Sequence, residues 1–194
     1  LNGRETALFD KSRELYGLYE AREGTGAIPY ILVVEGYMDV VMLAQHGIPH
    51  AVATMGTATT REHLNLLFKS TQRVVFCFDG DAAGRKAAWR ALENSLGQVA
   101  DGKHLSFLFL PQGEDPDSYV SSAGKAAFEA MLGEALPLSQ FLLRELTAQV
   151  DMQTQEGRAH LLQLARPLLA QVAAPALSLM LRKRLAELAG ISQA

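Results

Sequence analysis

The sequence predicts an α/β protein with a mostly parallel, four-stranded sheet and an all-helical C-terminal part. Three observations carry this. Short apolar runs of strand length alternate with helix-length segments up to about residue 110. Three of those runs end in acidic residues. From about residue 138 the strands give way to leucines at helical spacing.

Taken in order, residues 10–23 (DKSRELYGLYEARE) place Leu15, Leu18 and Tyr19 at helical spacing after a candidate cap, Asp10, and predict a helix. Residues 24–29 are a linker-like break. Residues 30–35 (YILVVE) form a continuous apolar run that suits a strand buried on both faces. A helix near 38–46, a strand near 50–53 and a Gly/Thr loop at 54–60 follow. A helix over 61–70 has Thr59 or Thr60 as cap. Residues 73–78 (RVVFCF) and 104–110 (HLSFLFL) give two more strands, with a helix over 82–98 between them. Residues 138–194 are helical, and Pro167 inside one pattern predicts a kink or split. The expected division is a lead-in segment at 1–29, a sheet domain at 30–137 and a helical subdomain at 138–194.

The 194 residues are 48% hydrophobic and 20% charged, with a formal net charge of -3. This excludes a disordered chain and announces no global basic field. One cysteine, Cys77, cannot build a disulfide or a Cys-based zinc site, and the five histidines lack zinc-enzyme spacing. No apolar run approaches ~18 residues and no signal peptide is visible. The chain begins without Met in turn-like text, so the expectation is an excised part of a longer cytoplasmic protein.

The first strand ends in Glu35, followed by Asp39 (EGYMD). The third ends in Asp79 and Asp81 (DGDAAG). The fourth leads into Asp115 and Asp117 (GEDPD). Ligands bind at the carboxyl edge of open parallel sheets. For the three acid-bearing strands to be neighbours, the second must lie outside them, which gives the order 2-1-3-4. Two carboxylates ~6 Å apart repel by roughly 2–3 kcal/mol at an effective dielectric near 20, so either protons or cations hold the cluster together. Oxygen ligands without His or Cys favour Mg²⁺ or Mn²⁺, and paired metals of this kind serve phosphoryl transfer. With those six acids neutralised the net charge of -3 becomes positive, which suits a polyanionic partner. Singly, each acid also reads as a helix cap or turn residue.

EGYMD, DGDAAGRKA and the DPD pair together resemble the toprim domain, a Rossmann-like fold of primases, topoisomerases and some nucleases. EGYMDVV, the GTATT loop, DGDAAGRKAAWRALE and FLPQGEDPDSYV are similar to bacterial replicative primases of the DnaG type over nearly all of residues 30–120. LNGRETALFDKSRELYGLYEA resembles the segment that leads from their basic polymerase subdomain into toprim. The resemblance implies two-metal nucleotidyl transfer that makes short RNA primers on single-stranded DNA. It implies Mg²⁺, with Mn²⁺ as substitute, held by Glu35, Asp39, Asp79, Asp81, Asp115 and Asp117. Glu35, Asp79 and Asp81 would be catalytic, with Glu35 as general base for the attacking 3′-hydroxyl. Asn2 and Lys11 match positions that contact the nucleoside triphosphate or the growing primer; Lys11 also reads as a solvated helix lysine. Gly36 and Gly80 would let backbone approach metal or phosphate. Gly56 and its threonines either present N–H groups to phosphate or simply connect strand to helix.

The expected partners are single-stranded DNA template, RNA primer and nucleoside triphosphates, with no membrane. The resemblance also places a structural Zn²⁺ and a replicative-helicase-binding domain elsewhere in the full protein. Arg85, Lys86 and Arg90 are candidates for template phosphates or a solvated face. Cys77 and Trp89 read as core, and Arg182, Lys183 and Arg184 as a nucleic-acid contact or, more simply, a solvated helix end. Two alternatives stay open: a toprim nuclease or topoisomerase fragment that cleaves DNA, and a non-catalytic toprim nucleic-acid-binding module.

Overall fold

Apolar residues on both faces of each central strand dictate a sheet covered on both sides. The computed structural model describes residues 10–23 and 27–191. In chain order it contains β1 (Leu15–Tyr16), α1 (Leu18–Arg22), β2 (Ile31–Val34), α2 (Tyr37–Gln45), β3 (Ala51–Thr54), α3 (Arg61–Ser70) and β4 (Arg73–Phe78). Then follow α4 (Ala82–Ser95), β5 (His104–Phe109), α5 (Pro116–Gly133), β6 (Leu136–Pro137), α6 (Leu138–Thr147), α7 (Gln155–Leu169) and α8 (Pro175–Leu188). The sheet order is β1-β3-β2-β4-β5-β6. Its four central strands are parallel and stand in the order expected from the acids.

The sheet nevertheless has six strands, not four. The two additions, β1 and β6, are antiparallel edge strands of two residues each, too short to leave an alternating pattern. The helix expected over 10–23 is corrected too. Asp10 accepts from the Ser12 amide and hydroxyl in a turn, β1 follows, and only 18–22 is helical. Gly17 makes the break, at φ +79°, where a Cβ would stand 2.9 Å from Val40 Cγ1. Helix α4 stops at Ser95, and α7 runs unbroken through Pro167, which falls in its last turn. Having no amide, Pro167 forgoes the bond to the carbonyl four residues back, and the helix ends two residues later.

Alternation sorts the strand residues into two cores. Ile31, Val33, Val74, Phe76, Leu105 and Phe107 face α3, α4 and α6. Leu32, Val34, Val75, Cys77 and Leu108 face α2 and α5. The first core continues without interruption into the helical part, through Phe141, Leu142, Leu161 and Leu181. Phe141 is fully buried, with ring centroids 4.7 Å from Phe107 and 5.3 Å from Phe109. A second tie is polar. Asp101 accepts from the Ala176 and Leu177 amides at 3.0 and 3.3 Å, capping α8 from 75 residues away.

These two ties have different weights. Phe141→Ala is expected to cost about 3–5 kcal/mol and Asp101→Ala about 1 kcal/mol, measured by denaturant unfolding. A Phe141→Ala loss no larger than the Asp101→Ala loss would contradict a shared core.

Candidate active site

Four parallel strands bring their carboxyl ends to one edge, and the strand order fixes what stands beside what. The Gly/Thr loop leaves β3. Glu35 leaves β2 beside it, Asp79 leaves β4, and the 111–115 turn leaves β5. Adjacent strands lie ~4.8 Å apart, so Glu35 and Asp79 are next neighbours. The edge strand adds a fifth contributor. Leu15 pairs antiparallel with Thr54, so the residues before it pass the carboxyl end of β3 on the acidic edge.

Each acid is set by the local fold. Asp81 is the N-cap of α4 and accepts from the Gly84 amide at 2.7 Å. Asp115 is the N-cap of α5 and accepts from the Ser118 amide at 2.7 Å. Asp39, in the first turn of α2, accepts from the Gly36 amide at 3.1 Å. Three acids therefore do cap helices, and each carboxylate keeps further lone pairs that a cap does not use. Asp117 itself accepts from Ser121 within α5. Glu35 and Asp79 stand at strand ends, outside any helix.

Their charges are felt across the edge. Burial raises the Glu35 carboxyl pKa, and Asp79, Asp39 and Asp81 raise it further. Burial also raises Asp79, with Asp115 and Asp81 adding to it. For Asp39, burial and the charges of Asp115 and Asp79 outweigh the lowering by the Gly36 and Asp117 amides nearby. Among the described residues, no trio of His, Cys, Asp or Glu side chains is arranged to cage a metal ion. The donor set fits a different kind of site. It is all hard oxygen, with several charges in mutual repulsion, as suits a cation that keeps most of its waters and takes one or two carboxylates.

Glycines let the loops approach. A Cβ on Gly80 would run into the Leu110 carbonyl oxygen and stand 2.9 Å from the Pro111 carbonyl carbon. Gly80 is thus required by packing of the β4 and β5 loops. A Cβ on Gly36 would lie 2.7 Å from Asp39 Oδ2, so that space belongs to the carboxylate. Sequence reasoning missed Gly84, whose Cβ would collide with the Asp79 carbonyl. The glycine three residues after Asp81 was the available signal.

Sequence reasoning also missed His63. Its Nδ1 accepts from the Thr60 amide at 3.1 Å, so Nε2–H donates to the Lys11 carbonyl at 3.0 Å. Thr60, the cap of α3, donates its hydroxyl to the Ser12 carbonyl at 2.6 Å. Burial lowers the His63 pKa and keeps the ring neutral, as this pairing requires. Lys11 is thereby held on the acidic edge. Asn2 lies outside the described residues. Gly56, at φ +78°, sits in the Gly/Thr loop and lines a cavity of about 280 Å³ with Glu35 and Arg90. Arg85, Lys86 and Arg90 are exposed on α4, and Cys77 is core, where burial pushes its thiol up.

A family model described as Toprim-like matches residues 32–120, and one described as the DnaB-helicase binding domain of primase matches residues 139–194. The second overlaps helices expected here only to pack, with helicase binding elsewhere. A DNA primase of Neisseria meningitidis is 55% identical over 98% of this chain and 32% of its own length. One of Escherichia coli K12 is 54% identical over 98% and 33%. A solved DnaG catalytic core matches with a TM-score of 0.94 at 54% identity, over 97% of this chain and 61% of that one. A DnaG primase catalytic domain bound to single-stranded DNA matches at 0.91 and 53%, over 95% and 59%. The chain spans about a third of the length of these curated relatives.

The raised carboxyls fix a pH dependence. Glu35, Asp39 and Asp79 hold their protons to higher pH folded than unfolded. Their contribution to stability is full below their ordinary values, 4.5 and 3.8, and is lost as pH rises through the raised ones. Asp79→Asn is therefore expected to stabilise the metal-free protein by roughly 0.5–1 kcal/mol at neutral pH, after discount for solvent screening. The gain fades below pH ~4. Thermal melts at both pH values check this, and destabilisation at neutral pH would contradict it.

Proposed function

Because this chain belongs to the catalytic-core family of bacterial DnaG-type DNA primases, we propose that its acidic edge joins nucleoside triphosphates into short RNA primers on single-stranded DNA. The observation that carries this reading is the convergence of Glu35, Asp79 and Asp39, all with raised carboxyl pKa values, at one sheet edge. Similarity to named primases over nearly the whole chain supports it. So does the single-stranded DNA held by one of the similar structures.

In this reading Glu35, Asp39, Asp79, Asp81, Asp115 and Asp117 hold hard divalent cations, Mg²⁺ or Mn²⁺, which when bound neutralise phosphate charge and polarise the phosphoryl group under attack. The chain's own residues do the rest. Glu35, at the end of β2 beside Asp79, accepts the proton of the primer's 3′-hydroxyl. The freed oxygen attacks the α-phosphorus of the incoming triphosphate and pyrophosphate leaves. Lys11, held on the edge by His63 and Thr60, supplies positive charge for the triphosphate. The helix caps on Asp39, Asp81 and Asp115 fix where their remaining oxygens stand, so little reorganisation accompanies the reaction.

Residues 138–194 form a helical subdomain in this proposal. The helicase-binding family match over 139–194 supports the replicative helicase as a partner. Such a protein works at the replication fork in the cytoplasm. Among the described residues no helix is long and apolar enough to cross a membrane.

Glu35→Gln and Asp79→Asn, placed in the native protein that carries these residues, are each expected to lower primer synthesis about 10²–10⁴-fold. Their melting temperatures should be preserved or raised. Full synthesis in either variant, measured with a single-stranded template and labelled triphosphates, would reject the reading.

A further inference from the structure

Helix α4 leaves the acidic edge at Asp81, and its cations begin one turn later. The Arg85 amide donates to the Asp81 carbonyl at 3.1 Å, so Arg85 stands ~6 Å along the helix axis from an acid of the edge. Lys86 and Arg90 are four residues apart, and Arg85, Trp89 and Glu93 repeat at the same interval, so all five share one side of α4. Gly84, Ala88, Ala91, Leu92 and Ser95 are buried on the other side.

The charged side of α4 is not open surface. It walls a groove of about 630 Å³, with Glu145 of α6 and Gln149 just beyond that helix opposite. Half-buried Trp89 packs edge-on against Phe141, with ring centroids 6.5 Å apart, which fixes α6 beside α4. Arg85, Lys86 and Arg90 are exposed, and among the described residues none of them forms an ion pair. Of the two acids in the groove, Glu145 is already paired with Arg144 at 3.1 Å. Glu93 is left against three cations. Arg90 belongs both to this groove and to the cavity that Glu35 lines, so the two hollows are neighbours.

We infer that the groove between α4 and α6 carries the sugar–phosphate backbone of the growing strand just upstream of its 3′ end. The inference rests on the reading of the acidic edge as the place where that end is extended. A strand whose 3′-hydroxyl lies at the acids has its preceding phosphates a helical turn or two away, where the cations stand. From Arg85 to Arg90 is ~7.5 Å along α4, the run of about two nucleotides at ~3.4 Å each. Divalent cations, when bound, neutralise the triphosphate at the acids. The older phosphates have no such ion, and the carboxylates repel them unless fixed cations intervene. Arg85, Lys86 and Arg90 supply that charge, and they hold the strand in place without reading its sequence.

Arg85→Gln with Lys86→Gln tests this in the native protein that carries these residues. The readout is extension of two oligoribonucleotides with 5′-hydroxyl ends, a dinucleotide and a hexamer, on one template at ~50 and ~200 mM salt. For the hexamer, kcat/KM should fall. Its log–log dependence on salt should flatten by about 1.5, roughly 0.7–0.9 for each phosphate contact removed. The native advantage over the double variant then shrinks about eightfold across that salt range. The dinucleotide, too short to run along the groove, should lose less. The KM of the triphosphate and the melting temperature should hold, and Lys86→Arg, which keeps the charge, should keep the native slope. Should the double variant melt lower, Lys86→Gln alone reports about half the change in slope. An unchanged slope makes these cations a solvated face and overturns the inference. Equal losses for dinucleotide and hexamer put the contact on the template, which both reactions share, and also overturn it. So does a raised triphosphate KM, which puts the contact on the incoming nucleotide. Asp79→Asn separates the two levels. Loss of extension in Asp79→Asn with an unchanged slope in the double variant rejects the groove alone. Survival of extension in Asp79→Asn rejects the acidic edge as the catalytic centre.

Discussion

Parallel strands deliver all their carboxyl ends to one edge, and in this chain three of those ends carry acids. The geometry that builds the sheet therefore also builds a concentration of like charge. No salt bridge relieves it: among the described residues the ion pairs involve Asp10, Glu129, Glu145 and Glu187, none of them on the acidic edge. The energy of packing the sheet core is what holds the carboxylates together against their repulsion.

Helix starts moderate that cost. Asp39, Asp81 and Asp115 each occupy the amide-rich end of a helix, where negative charge is favoured. The same bonds that make these acids tolerable also fix their positions. Structural and chemical roles thus coincide on one side chain, and reading such an acid as only a cap or only a ligand misses half of it.

Much of this was legible from residues alone. The alternation of apolar runs gave the four central strands, and acids at three of their ends gave the order of those strands. What escaped were features without a local pattern. Two-residue edge strands are shorter than any alternation. The Leu15 and Leu18 spacing imitates a helix, because Gly17 turns the chain and returns both side chains to the core. Asp101 caps a helix 75 residues downstream, and no window of sequence contains both partners. His63 reads as an isolated histidine until the fold brings Lys11 to it. Gly80 has a second reason that no local pattern shows: a Cβ there would meet the next loop at the Leu110 carbonyl.

The central claim is that the acidic edge is stabilised by hard divalent cations, and a thermal melt against Mn²⁺ concentration tests it most directly. Starting in chelator, the melting temperature should climb with added ion as RT ln(1 + [L]/Kd) requires. The climb should be smaller for Asp79→Asn, which begins higher because one repelling charge is gone. A native protein whose melting temperature is flat from chelator to ~10 mM Mn²⁺, about a hundredfold above the Kd of a ~0.1 mM site, would contradict the account.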